Sequence, residues 1–176
     1  RISPIPLTVQ VFADFGEVVE ANPNKIFSIN KGTTNRFHDL ANIDVERDGG
    51  RPMVNIFRGT PYPFPLTIRM MENHPLGSQF FMPLDPFDYL VAVAEAKSTV
   101  MPEDVLVFSC SQKQGVNFKP GVWHHPLLVL AEQQDFLVID RAGAGENLVE
   151  QDLASPIMVD LDENNPQGRL EPRPRQ

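Results

Sequence analysis

The side chains best suited to proton transfer or metal binding are few. His38, His74, His124 and His125 are the only imidazoles in the chain. His74 lies in Glu72-Asn73-His74-Pro75-Leu76-Gly77-Ser78-Gln79, an E-x-H-x4-Q pattern. Residues two apart on a strand face the same way, so Glu72 and His74 are expected to present a carboxylate and an imidazole to one side. Gly121-Val122-Trp123-His124 reads as a turn that delivers His124 onto a following strand. Glu72, His74 and His124 would then offer one oxygen and two nitrogen donors, a set that suits a divalent ion. The same three groups suit general acid–base work without any ion. On ligand chemistry alone the two readings stand level, and the neutral Gln79 adds a poor ligand.

Other polar residues carry plainer expectations. His125 is expected to face away from His124 and to be structural. His38, followed by Asp39, is either a packed pair or part of the site. Arg58 closes an apolar run, where it either forms a structural salt bridge or meets an anionic substrate. Arg141 is expected to pair with a carboxylate. Trp123 reads as core or pocket wall, Met70-Met71 as packing, and Cys110 as an inert buried thiol.

The elements that must position these groups read as strands. Of 176 residues, 41% are hydrophobic and 22% charged, ordinary values for a globular chain, but 17 are proline. Prolines scattered between short apolar runs point to a sheet-rich protein with many turns. Runs at 25–30, 53–58, 66–71, 79–84, 89–94, 105–109, 127–132 and 136–140 are rich in Val, Ile, Phe or Leu. Asp48-Gly49-Gly50, Gly59-Thr60-Pro61 and Gly143-Ala144-Gly145 are among the turn signals between them. Thr8 is expected to cap a short helix carrying Val9, Phe12 and Phe15, ended by Gly16. The fold class expected is all-β with minor helix, a barrel or double-sheet jelly roll in one domain over residues 1–159. Residues 160–176 read as a polar, mobile tail.

Charge and composition exclude several roles. The net charge of −8 argues against a phosphate-backbone binder, so no nucleic-acid partner is expected. No apolar run approaches the roughly 20 residues of a membrane helix, and Arg1-Ile2-Ser3-Pro4 does not read as a secretory leader. With the single Cys110, a reducing cytoplasm is the expected location.

The two histidine motifs resemble those of the cupin superfamily, H-x-H followed by Glu and then P-x-G-x-x-H. Glu72 occupies the first His position, His74 the second, Gln79 the Glu position and His124 the last His, while Lys119 stands where the second motif has Pro. Longer stretches are more specific: Phe27-Ser28-Ile29-Asn30 with Asn35-Arg36-Phe37-His38-Asp39-Leu40, His74-Pro75-Leu76-Gly77, Gln114-Gly115-Val116-Asn117-Phe118, Val122-Trp123-His124-His125-Pro126 and Ile139-Asp140-Arg141. Over residues 7–149 this set resembles the ureidoglycolate lyase family. The chain departs from it at Phe118-Lys119, where a Tyr-His or similar pair is expected, and at Pro86 in place of Gly.

The resemblance implies a cupin-type double-stranded β-helix, a homodimer in the cytoplasm, and cleavage of ureidoglycolate to glyoxylate and urea in allantoin degradation. It also brings nickel or another divalent metal into view. His124, Glu72 and His74 are then the candidate catalytic residues, with the same three as metal ligands if an ion binds. Asn30, Arg36, His38, Arg58, Gln79 and Lys119 are the candidates for substrate binding. Two alternatives are kept: an amidohydrolase releasing ammonia from the same substrate, and a non-catalytic cupin that binds a small ligand.

Overall fold

The computed structural model describes residues 1–161. Its strands are β1 (Ile5–Pro6), β2 (Gly16–Val19), β3 (Ile26–Ile29), β4 (Thr34–Phe37), β5 (Arg51–Gly59), β6 (Thr67–Asn73), β7 (Gln79–Pro83), β8 (Tyr89–Ala94), β9 (Leu106–Cys110), β10 (Gly115–Phe118), β11 (Trp123–His124), β12 (Leu128–Val129), β13 (Gln134–Ala142) and β14 (Val149–Met158). One sheet runs β1-β9-β8-β11-β6-β14, with β12 also paired to β8. The second runs β2-β10-β7-β13-β5, and β3 and β4 form a hairpin of their own. Strands β5, β6, β7 and β8 alternate between the two sheets, and so do β10, β11, β13 and β14. That alternation winds the chain into a double-stranded β-helix, the cupin-type jelly-roll barrel expected from the sequence. No described helix is long and apolar enough to cross a membrane.

Strand β8 shows how the core is divided. All six of its residues are buried. Tyr89, Val91 and Val93 point between the sheets, into a cluster with Phe12, Phe81, Phe108, Phe118 and Phe136. Leu90, Ala92 and Ala94 point the other way, into a second cluster with Ile68, Met71, Val100, Val107 and Trp123. The seven-stranded sheet is therefore packed on both faces, which is why β8 reads as a continuous apolar run instead of an alternating one.

Several expectations need correction. Residues 9–15 form consecutive turns and no regular helix. Thr8 does act as a cap, with its hydroxyl accepting from the Val11 N–H at 3.3 Å. Phe12 and Phe15 are then pulled into the core, and Gly16 returns its N–H to the Phe12 carbonyl at 3.1 Å, so the segment stops after about two turns. Strands β1, β2, β4, β10 and β14 lie outside the runs expected from sequence, and β11 is the short strand expected after the Gly121 turn. The first residues of the expected tail are tied down: Asp160 donates its N–H to the Ile2 carbonyl at 2.8 Å and its carboxylate meets Arg1 at 2.7 Å. The rest of that expectation, from residue 162 onward, lies outside the described residues.

Candidate active site

Strand pairing brings the site together. Glu72 on β6 stands directly opposite His124 on β11, and opposite residues of an antiparallel pair hold their side chains close. His74 follows β6 by one residue. The turn before β11 needs a positive φ of 81° at Gly121, a conformation glycine adopts freely. The Gly121 N–H donates to the His74 carbonyl at 2.9 Å, which joins the two segments directly. The Glu72 Oε1 is 3.5 Å from the His124 Nε2 and 4.0 Å from the His74 Nε2. The three donor atoms all lie within 4.8 Å of one another.

Backbone carbonyls fix both imidazoles. The His74 Nδ1 lies 2.6 Å from the Asn147 carbonyl, and the His124 Nδ1 lies 3.2 Å from the Val122 carbonyl. A carbonyl only accepts, so each Nδ1 carries the proton and each Nε2 presents a lone pair. Both Nε2 atoms are buried without a hydrogen-bond partner. Two orphaned imidazole lone pairs beside a carboxylate fit a divalent ion, and the carbonyl partners supply the usual outer support for metal-bound histidines. Burial, together with the neighbouring His124, holds the His74 pKa below its ordinary value, which keeps the ring neutral at pH 7. Burial pushes the Glu72 carboxyl up, but the neighbouring His124, with His74 and His125 behind it, outweighs this and holds it below the usual range.

A cavity of about 610 Å³ opens between the sheets onto Glu72 and His124. Gln79 also lines it; its Nε2 donates to Asp140 at 3.3 Å while its carbonyl is buried and unpartnered. Asp140 in turn accepts from Asn55 at 3.0 Å. Phe118, cross-strand neighbour of Gln79, stacks flat on His124 with ring centroids 4.5 Å apart and planes 6° apart. It fixes the plane of the His124 ring and offers it no proton. The mouth is rimmed by Arg58 and the segment through Tyr62.

The remaining candidates divide. Arg58 reaches the rim, but its guanidinium is bidentate to Asp135 at 2.8 Å on both arms. Lys119 is outside the cavity lining and donates to the Ala13 carbonyl at 2.6 Å. Asn30, Arg36 and His38 lie on or beside the β3–β4 hairpin, outside the lining, with His38 edge-on to Phe27 at 5.5 Å. His125 joins the cavity wall and meets Tyr62 at 5.1 Å. It does not face away as expected, because β11 ends at His124 and strand alternation ends with it. Arg141 is buried against the carbonyls of Arg47 and Ala144 and not against a carboxylate. Asn147, Tyr62 and Phe118 are site-building residues that the sequence reading did not assign. Of these only Phe118 carried a signal, as a departure from the family pattern.

The family model for ureidoglycolate lyase matches residues 1–160. A ureidoglycolate lyase of Burkholderia mallei (strain NCTC 10229) is 51% identical over 154 residues, covering 88% of this chain and 90% of that one. One from Azotobacter vinelandii is 48% identical over 145 residues, covering 82% and 87%. One from Chelativorans sp. is 46% identical over 163 residues, covering 93% and 98%. Among solved structures, RmlC from Streptococcus suis in complex with dTDP-D-xylose aligns with a TM-score of 0.44 at 9% identity, over 74% of this chain and 73% of that one. On the extent of the model match and the identity of its relatives, the chain belongs to the ureidoglycolate lyase family.

Proposed function

We propose that this chain splits ureidoglycolate into glyoxylate and urea, with residues 1–159 as the one catalytic unit. The observation that supports this most directly is the pair of unpartnered imidazole nitrogens beside Glu72, of which His124, like Glu72, lines the cavity. The substrate carbon bears a hydroxyl and a urea nitrogen. Removing the hydroxyl proton lets that oxygen form a carbonyl as the C–N bond breaks. The bonding electron pair goes to nitrogen, which takes up a proton and leaves as urea; the carbon fragment is glyoxylate. No oxidant, reductant or covalent nucleophile is needed.

In the metal-free form of the site, the His124 Nε2 accepts the hydroxyl proton, and Glu72 stabilises the imidazolium at 3.5 Å. Phe118 holds the ring plane throughout. The unpartnered Gln79 carbonyl is placed to accept from the ureido N–H, steadied through its amide by Asp140. Glu72, His74 and His124 would hold a divalent ion if one binds, and such an ion lowers the pKa of a bound hydroxyl. The same reading makes the protein a cytoplasmic homodimer, in keeping with its one free, buried cysteine.

The test is product analysis with and without chelator. Wild-type protein is expected to release urea and glyoxylate in equal amounts. His124→Asn should stay folded and lose about two or more orders of magnitude of that rate. Loss of activity on chelation, restored by divalent metal, selects the metal form. Ammonia as the nitrogen product would replace this reading with an amidohydrolase, and a fully active His124→Asn protein would remove the site.

A further inference from the structure

Residues 23–36 are exposed without exception, although Ile26, Phe27 and Ile29 are among them and Phe27 is 56% exposed. The arm's hydrogen bonds close on itself: among the described residues β3 pairs only with β4, Lys25 donates to the Asp39 carbonyl, and Asn30 donates to Thr34. Phe27 stands opposite Arg36, and Ile29 opposite Thr34, so Phe27, Ile29 and Arg36 share one face. The Arg36 side chain has no hydrogen bond or ion pair among the described residues, so its guanidinium is uncommitted.

A matching surface lies on the five-stranded sheet. Two cross-strand rows, Val54-Ile139-Phe80 and Ile56-Leu137-Met82, form its outer face. Val54 and Ile56 are 67% and 56% exposed. They sit on β5, an edge strand that runs into the cavity rim at Arg58 and Gly59. A long, exposed apolar edge invites pairing with another chain. Charge selects the partner. Residues 23–40 hold Lys25, Lys31 and Arg36 against Asp39 alone, a surplus of two positive charges in a chain of net charge −8, so the rest carries −10. A basic arm on a strongly acidic body is complementary to a second copy of the same body. The site also lacks a cation to spare. Among the described residues Arg58 is the only Lys or Arg lining the cavity, and Asp135 already takes both arms of its guanidinium.

We propose that two copies exchange arms, each arm lying along β5 of the other copy so that its Arg36 reaches the cavity mouth and binds the substrate carboxylate. The active site is then shared between copies. Only the identity of the anion rests on the activity proposed above.

Two measurements test this. In the first, a chain carrying His124→Asn and a chain carrying Arg36→Ala are co-expressed with different affinity tags, and the heterodimer is purified through both. Arg36→Ala alone is expected to lower kcat/KM for urea release about a hundredfold, the scale of truncating one partner of a buried charge pair. In the heterodimer, one of the two sites combines an intact barrel with an intact arm from its neighbour. It should regain about half the activity of the wild-type dimer, since a symmetric dimer holds two equivalent sites. A heterodimer no more active than its parents, or an Arg36→Ala protein with wild-type kcat/KM, overturns the shared site. In the second measurement, which needs no activity, sedimentation should show wild-type protein as a dimer and Phe27→Asp as a folded monomer. A monomeric wild type, or a Phe27→Asp protein that remains dimeric, overturns the arm exchange. Wild-type protein that is a dimer but releases no urea would sink the activity alone.

Discussion

Both sheets of the barrel have apolar outer faces, but the described residues cover only one. On the seven-stranded sheet, Leu90, Ala92 and Ala94 of β8 are sealed by Val100, Val105, Trp123 and Leu130. The Trp123 indole also donates to the Lys97 carbonyl at 2.9 Å, which pins the covering segment. On the five-stranded sheet, Val54 and Ile56 stay open to solvent. The covered sheet carries Glu72 and His124, whose geometry the chemistry depends on. The open sheet carries Gln79 and Phe118 on its inner face. Rigid support and accessible surface are thus separated onto opposite walls of one cavity. Among the described residues, the wall that holds Glu72 and His124 is covered, and the other is the one to which the proposed arm exchange assigns a partner.

The comparison breaks most visibly at Trp123. Trp123→Ala removes a side chain that is 2% exposed and immediately precedes His124. It should cost about 3–5 kcal/mol of unfolding free energy at every protein concentration, by lost transfer energy plus the cavity left behind. Denaturant titration at two concentrations checks this. A cost under about 1 kcal/mol would mean that the covering of this sheet is not what stabilises it.

A smaller effect follows from pH. Burial holds the pKa values of His74 and His125 below the ordinary 6.5, and both residues belong to the covered side of the barrel. In the unfolded chain these rings take up protons near pH 6.5, while the folded protein resists doing so. The unfolded state therefore binds more protons below that pH, and stability falls as pH drops through it. Glu72, held below its ordinary 4.5, adds a loss of the same sign at lower pH. Thermal unfolding of chelated protein between pH 8 and pH 5 should show a falling midpoint. Replacing His74 and His125 by Gln should flatten that slope, and an unchanged slope would place the acid sensitivity elsewhere.

The smallest expected effect is on the open wall. Ile56→Asp should leave unimolecular stability within about 0.5 kcal/mol, as for most exposed positions. It should make the unfolding midpoint independent of protein concentration, where the wild-type midpoint rises with concentration. Calorimetry over a hundredfold dilution series would show whether the two proteins differ in this way.

The sequence was most readable where local pattern and burial agree. The run at 89–94 is strand β8, and the runs at 53–58 and 136–140 fall within β5 and β13. Strand β14 was invisible because Gln151, Asp152 and Pro156 interrupt its apolar pattern. It lies at the sheet edge, and its register shifts between Asp152 and Ile157, so a proline is tolerated where a central strand would exclude it. Strand β10 begins with Gly115 and holds a buried Asn117, whose amide is satisfied by Glu17 and the Asn42 carbonyl. Neither partner is near it in sequence. In the site, Glu72, His74 and His124 were legible from spacing, because strand alternation and one turn suffice to aim them. The Asn147 carbonyl that fixes His74 has no side-chain signature and could not be read at all. The positions of Asn30, Arg36 and His38 on an arm were equally hidden, since an exposed hairpin can carry the same apolar pattern as a core strand.

The bond from the His74 ring to the Asn147 carbonyl has a consequence for biosynthesis. The acceptor is 73 residues beyond the ring. During translation Glu72 and His74 emerge first, His124 much later, and Asn147 last of the four, close to the end of the described chain. A partly made polypeptide therefore has its imidazole free to turn and its carboxylate without a partner. The centre locks only after β14 is laid beside β6, so competence waits for the stretch of chain beyond Asn147.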